Sequence, residues 1–138
     1  MYKQIVVGFD GSERAMRAVK EAGDVATAFG ARVHVVTTVK KNDMHDFGFG
    51  SDQRVMSDVE IAKDQLANAV RSLNHLDVTT AVVTGPVAAG LVSEAVSVDA
   101  DVIVVGNKNV QTIGRVFGNI AEDVAQIAPC AVLIAKTA

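Results

Sequence analysis

The sequence predicts an α/β protein, a parallel sheet with helices on both of its faces. Two observations carry this. Five short runs rich in β-branched residues recur along the chain with little polar alternation, the mark of strands buried on both sides. Between them lie longer segments in which apolar residues return every three or four positions. Each strand pair therefore has a helix to make the crossover that parallel pairing requires. Right-handed crossovers then distribute the helices over the two faces of an open sheet.

Ile5-Val6-Val7 is the first strand run. Ala15, Ala18, Val19, Ala22, Val25, Ala26 and Phe29 follow at helical spacing, and Glu13, Arg14, Arg17, Lys20, Glu21 and Asp24 take much of the opposite face. Ser12 suits the N-cap of this helix and Gly30 its stop. Val33-His34-Val35-Val36 is the second strand. Residues Lys40 to Asp52 read as one long connection, of a length that tends to carry function. Val55, Val59, Ala62, Leu66, Ala69 and Leu73 mark the second helix. The third strand spans Val78 to Val83, and its Thr79 and Thr80 suit an edge. Pro86 suits the first position of a third helix running through Leu91 and Ala95. Val102-Ile103-Val104-Val105 is the fourth strand. Val116, Ile120, Val124 and Ile127 mark a fourth helix that Pro129 closes, and Ala131 to Ala135 is the fifth strand. With 138 residues, no internal repeat and no linker, the expectation is a single domain over 1–138.

Composition excludes several classes of function. A net charge of −3 leaves no electrostatic footprint for nucleic acid or an acidic membrane. Aromatic content of 4% without Trp disfavours a stacking platform for single strands. Cys130 is the one cysteine, which rules out an internal disulfide, and it is expected to be buried. No apolar run reaches bilayer length and the opening apolar stretch is too short for a signal peptide, so a cytoplasmic location is expected.

Ligands of open α/β sheets bind beyond the carboxyl ends of the strands, where strand order reverses. The first strand leads into Gly8-Phe9-Asp10-Gly11-Ser12, and the second into Thr38-Val39-Lys40-Lys41. The fourth leads into Gly106-Asn107-Lys108-Asn109 and then Gly114-Arg115-Val116-Phe117-Gly118-Asn119 before the last helix. Small residues ahead of a helix let backbone N–H groups face an anion, so Gly106 to Asn119 is a candidate phosphate cradle. It matches neither the Walker A pattern nor GxGxxG. Asp10 has two readings, a nucleotide contact or an Asx-turn residue that opens the first helix. Lys40, Lys41, Lys108 and Arg115 are cations near these ends, and each taken singly reads as solvated. Glu122 and Asp123 are expected to face solvent. His34 reads as a packed or edge histidine. No His or Cys spacing suits a metal, and His45 with Asp43 and Asp46 is a loop cluster. Ser12 has no histidine nearby and no Gly-x-Ser-x-Gly elbow exists, so a hydrolase triad is unsupported.

Four ordered blocks resemble universal stress proteins. They are Ile5 to Ser12, Thr84-Gly85-Pro86-Val87, Asp101 to Gly106, and Ala128-Pro129-Cys130-Ala131-Val132-Leu133-Ile134; the resemblance extends over essentially the whole chain, and the ordered blocks make it specific. The resemblance implies an adenine nucleotide alpha hydrolase-like, open five-stranded parallel sheet of order 3-2-1-4-5. It also implies a homodimer paired through the last strand, Ala131–Ala135. Members that bind ATP carry Gly-x-x-Gly, nine residues, then Gly-Ser or Gly-Thr. Here Gly106 fits the first glycine, Asn109 stands at the second, eight residues separate it from Gly118, and Asn119 replaces the hydroxyl residue. By resemblance, Asp10 sits near the ribose or a metal and Val39 against the base. The backbone of Gly106, Asn107, Asn109, Gly118, Asn119 and Ile120 holds the phosphates.

The implied ligand is an adenine nucleotide, ATP foremost, with AMP or cyclic AMP as alternatives and Mg as a companion of the phosphates. The implied role is a ligand-responsive, dimeric stress-response regulator. No general base is positioned against a γ-phosphate, so any ATP hydrolysis is expected to be very slow. The three departures in the loop leave a second reading open, a nucleotide-free member that acts through protein contacts. A phosphorylation receiver shares the architecture but needs an acidic pair after the first strand and an aspartate after the third. The chain has one Asp at the first place and Thr84-Gly85-Pro86 at the second.

Overall fold

The computed structural model describes residues 2–39, 48–107 and 120–136, with the backbone alone for 48–57. The elements follow in the order β1 (Gln4–Gly8), α1 (Glu13–Phe29), β2 (Arg32–Val39), α2 (Gly48–Ser72), β3 (Val78–Thr84), α3 (Val87–Ser97), β4 (Val102–Gly106), α4 (Ile120–Ile127) and β5 (Ala131–Ala135). All five strands are parallel, in the order β3-β2-β1-β4-β5. This is the α/β sheet expected from the sequence, with β3 and its exposed Thr79 and Thr80 at an edge.

Side chains alternate between the faces of each strand, and that alternation sorts the core into two layers. Ile5, Val7, Val33, Val35, Val102 and Val104 face α1 and α2, where they meet Ala18, Val19, Ala22, Leu66, Ala69 and Leu73. Val6, Val36, Ile103 and Val105 face α3 and α4, where they meet Leu91, Ala95, Ala121 and Val124. β1 lies between β2 and β4, which is why Ile5, Val6 and Val7 are all fully buried. Each such side chain contributes roughly 1.5–3 kcal/mol of transfer free energy, so the continuous apolar runs are what drive the sheet together.

Helix ends follow local chemistry. Ser12 Oγ accepts a hydrogen bond from the Ala15 N–H at 3.1 Å and caps α1. At the other end Gly30 adopts φ 67°, and the N–H groups of Gly30 and Ala31 both reach the Ala26 carbonyl. Asp99, at φ 57°, takes the equivalent place after α3, with the Ala100 N–H bonded to the Ala95 carbonyl at 2.8 Å.

Four expectations need correction. α2 begins at Gly48, so residues 48–52 are helix and not part of the connection. A helix anchored by buried Ala62, Leu66, Ala69 and Leu73 gains a hydrogen bond for each residue added, so it extends back through poor helix formers. Pro86 is the N-cap and not the first helical residue: its φ and ψ of −62° and 142° are extended, and its carbonyl accepts the Gly90 N–H at 3.0 Å. Cys130 is half-buried, because strand β5 is an edge and leaves one side uncovered. Glu122 is partly buried and has an interaction partner, whereas Asp123 faces solvent as expected. The described part of the last helix begins at Ile120, and Val116 lies outside the described residues. Among the described residues, no helix is long and apolar enough to cross a membrane.

Candidate functional site

The strand order reverses between β1 and β4. The connection from β1 runs to β2 on one side, and the chain returns to β4 on the other. Beyond the carboxyl ends at this switch point lies a cavity of about 400 Å³. Its floor is apolar, made by Phe9, Val36, Val87, Leu91, Val105 and Ile120. Its polar groups are few: Asp10, Ser12, Thr38 and Arg14, with Gly8 and Gly106 at the strand ends. A mostly apolar recess with a small set of orienting polar groups is the usual form of a small-molecule site.

The β1–α1 turn is built to present Asp10. Phe9 is still held to β2, because its N–H donates to the Val36 carbonyl at 2.9 Å and its own carbonyl accepts from Thr37 Oγ1 at 2.7 Å. The chain then turns. Asp10 Oδ1 accepts the Ser12 N–H at 2.9 Å, which is the Asx-turn reading of this residue. Gly11 takes φ 87°, a backbone conformation that favours glycine, and a Cβ there would also have to push aside the Gln65 amide of α2, 2.3 Å away. The turn leaves Asp10 exposed on the cavity wall, so the two readings of Asp10 coexist in one geometry.

The other expected residues divide into three groups. Gly106 and Ile120 line the cavity with Asp10. Val39 and Asn107 are adjacent to lining residues but do not line it themselves. Val39 ends β2, with its carbonyl accepting the Gly85 N–H at 3.0 Å, and Asn107 is buried immediately after β4. Asn109, Gly118 and Asn119 lie outside the described residues, as do Lys40, Lys41, Lys108, Arg115 and the loop cluster around His45.

Several lining residues are not singled out by pattern, among them Val87, Leu91 and Arg14. Val87 and Leu91 occupy successive turns of α3, and helical spacing marks Leu91 only as core. Leu91 is in fact core and floor at once, 1% exposed and close enough that a Cβ on Gly8 would meet its Cδ1 at 3.1 Å. Arg14 belongs by pattern to the solvent face of α1, and nothing in its spacing distinguishes it from Arg17.

His34 is packed, as expected, and stands behind the cavity on the α3 face of β2. Its Nδ1 lies 2.6 Å from Thr79 Oγ1 and its Nε2 2.8 Å from Glu94 Oε1. A carboxylate only accepts, so the Nε2–H donates to Glu94 and the imidazole ties β2 to β3 and α3. Among the described residues no three His, Cys, Asp or Glu side chains converge on a metal position.

The profile of the Universal stress protein family matches residues 1–136. The chain belongs to the universal stress protein family. A curated relative, universal stress protein Rv1636 of Mycobacterium tuberculosis, is 31% identical over 149 residues, covering 99% of this chain and 97% of its own length. Among solved universal stress proteins, one in complex with cAMP is 31% identical, with a TM-score of 0.74 and coverage of 99% and 98% of the two chains. The Archaeoglobus fulgidus universal stress protein in complex with dAMP is 27% identical, with a TM-score of 0.74 and coverage of 96% and 97%.

Proposed function

We propose that this universal stress protein binds an adenine nucleotide in the cavity at the β1–β4 switch point and acts as a ligand-responsive protein. The observation that carries the proposal is the cavity itself: a recess of about 400 Å³ with a mostly apolar lining that also includes Asp10, Thr38 and Gly106. Two relatives of the same fold, at 31% and 27% identity, were solved with cAMP and with dAMP. In this reading the base rests on the apolar floor, Asp10 accepts hydrogen bonds from the ribose, and the phosphates extend past Gly106. Among nucleotides, ATP, AMP and cyclic AMP all present the adenosine that this floor suits. A Mg²⁺ would be carried by the phosphates with Asp10 as its one protein carboxylate, since that ion keeps most of its water and needs few protein ligands.

The proposed state is a homodimer in the cytoplasm serving a stress response. The support for dimerisation is the uncovered edge strand β5, where Ile134 is 48% exposed, with Ile127 of α4 also exposed. Binding is tested by thermal shift with ATP, AMP and cyclic AMP. A ligand at 100 times its Kd should stabilise the fold by about 2.7 kcal/mol through mass action, a rise of several degrees. No shift with any of the three overturns the nucleotide assignment and favours the second reading, a nucleotide-free member acting through protein contacts. The departures at Asn109 and Asn119 and the eight-residue spacing are what keep that second reading in play.

A further inference from the structure

We infer that Arg14 reads the phosphate of the bound nucleotide and thereby makes the site selective for phosphorylated over unphosphorylated adenosine. This rests on the proposal that the cavity takes an adenine nucleotide. Three observations bear on it. First, Arg14 lines the same cavity as Asp10, Gly106 and Ile120, and it is the cation among the described lining residues. Second, its guanidinium has no ion-pair or hydrogen-bond partner among the described residues. Third, it stands in the first turn of α1, two residues after the Ser12 N-cap.

The third point makes the first two informative. A helix N-terminus carries partial positive charge, so carboxylates are favoured there and cations are disfavoured. Glu13 obeys that rule and Arg14 breaks it. A residue that violates a local preference without a compensating contact is expected where function requires it. Here the violation adds a full positive charge to the end of a helix that already attracts anions, beside an apolar recess. Among the described residues, the opposite wall carries no cation. The first turn of α4 carries Glu122 and Asp123, which already answer that helix's own dipole. Among the described lining residues, Arg14 is therefore the side chain that can answer an anion entering between α1 and α4. Guanidinium presents its donors in a planar fork that matches two phosphate oxygens, which suits a terminal or cyclic phosphate better than a neutral ribose hydroxyl.

The test is isothermal titration of the full chain with adenosine, AMP and ATP, in the wild type, Arg14→Gln and Arg14→Lys. The wild type should bind AMP and ATP more tightly than adenosine. Arg14→Gln should weaken AMP on the order of tenfold and leave adenosine unchanged, with Arg14→Lys in between. The AMP preference should also shrink as salt is raised, because Arg14 is solvent-exposed. Melting of the unliganded Arg14→Gln protein should match or exceed the wild type, since a cation leaves a helix N-terminus. An unchanged AMP affinity in Arg14→Gln overturns the assignment and leaves the nucleotide site standing. Equal losses for adenosine and AMP also overturn it, because the residue would then serve the base or the packing. A wild type that binds none of the three removes both proposals.

Discussion

Asp101 shows how much a single half-buried carboxylate can organise. It precedes β4 and accepts the backbone N–H of Lys3 at 2.7 Å and that of Gln4 at 3.0 Å, while its own N–H donates to the Gln4 carbonyl at 2.9 Å. One residue thus stitches the start of the central strand to the start of its neighbour. The two backbone N–H groups, with a smaller contribution from the charges of the N-terminus and Lys3, hold its carboxyl below the usual carboxylate range. A depressed folded-state value means that ionised Asp101 stabilises the fold above the unfolded value, near pH 4, and that this contribution disappears as pH falls through the lower folded value. Asp101→Asn should therefore lower stability at neutral pH, and the gap to the wild type should close as pH falls below about 4. Urea denaturation at a series of pH values measures it; a gap that persists at low pH would refute the role. Close by in space, burial pushes the Cys130 thiol up, with the negative charge of Asp101 adding to the effect, so the thiol stays protonated at neutral pH.

At the scale of elements, the His34 bridge is the most specific tie between helix and sheet. β2 supplies His34, β3 supplies Thr79 and α3 supplies Glu94. The same β2 face carries Val36 and Thr38 two and four residues on, and the same α3 face carries Leu91 and Val87. The bridge thus fixes the helix whose first turns form the cavity floor. His34 is nearly buried and Glu94 is about one-fifth exposed, so removing either partner strands a polar group in a poorly hydrated place. Glu94→Leu or His34→Phe alone should each cost about 1–3 kcal/mol, and the double substitution should cost clearly less than their sum. Simple additivity in the double-mutant cycle would show that the two side chains do not depend on each other. This tie was invisible in the sequence, since the partners are 60 residues apart and His34 shows only as a polar residue inside an apolar run. The strands themselves were legible for the opposite reason. Ile5 to Val7 and Val102 to Val105 are each uninterrupted β-branched stretches, and burial on both faces is the one environment that such stretches satisfy. The start of α2 was not legible, because Gly48, Gly50 and Ser51 have poor intrinsic helicity and only the packing of residues further along sustains them.

For the whole molecule, the strand-end rule pointed to the place of the cavity from connectivity alone and singled out Asp10 and Gly106, while Ile120 came from the family resemblance. Arg14, Val87 and Leu91 did not, because a residue's distance from a pocket depends on how helices tilt over the sheet, which pattern does not encode. Assembly is the remaining property at this scale. If dimers form by pairing along β5, a charge on its outer face should prevent them, since lysine on an edge strand opposes edge-to-edge contact. Ile134→Lys should run as a monomer by native mass spectrometry and keep its fold by circular dichroism, because Ile134 is half-exposed. A dimer that survives the change uses another surface.

The pairing of β1 with β4 has a consequence for how the chain is made. β1, β2 and β3 are consecutive, so they can zip together while synthesis continues. The other flank of β1 has to wait for β4, whose Val102 lies opposite Ile5. Until then the nascent polypeptide shows the ribosome's surroundings an open, sticky border along a strand whose Ile5, Val6 and Val7 are fully buried in the finished fold. Within the sheet, that seam is all that joins the first three strands to the last two. A cut in the crossing after β3 would leave two fragments whose exposed borders fit each other, so the protein is a natural candidate for reassembly from two separately expressed pieces.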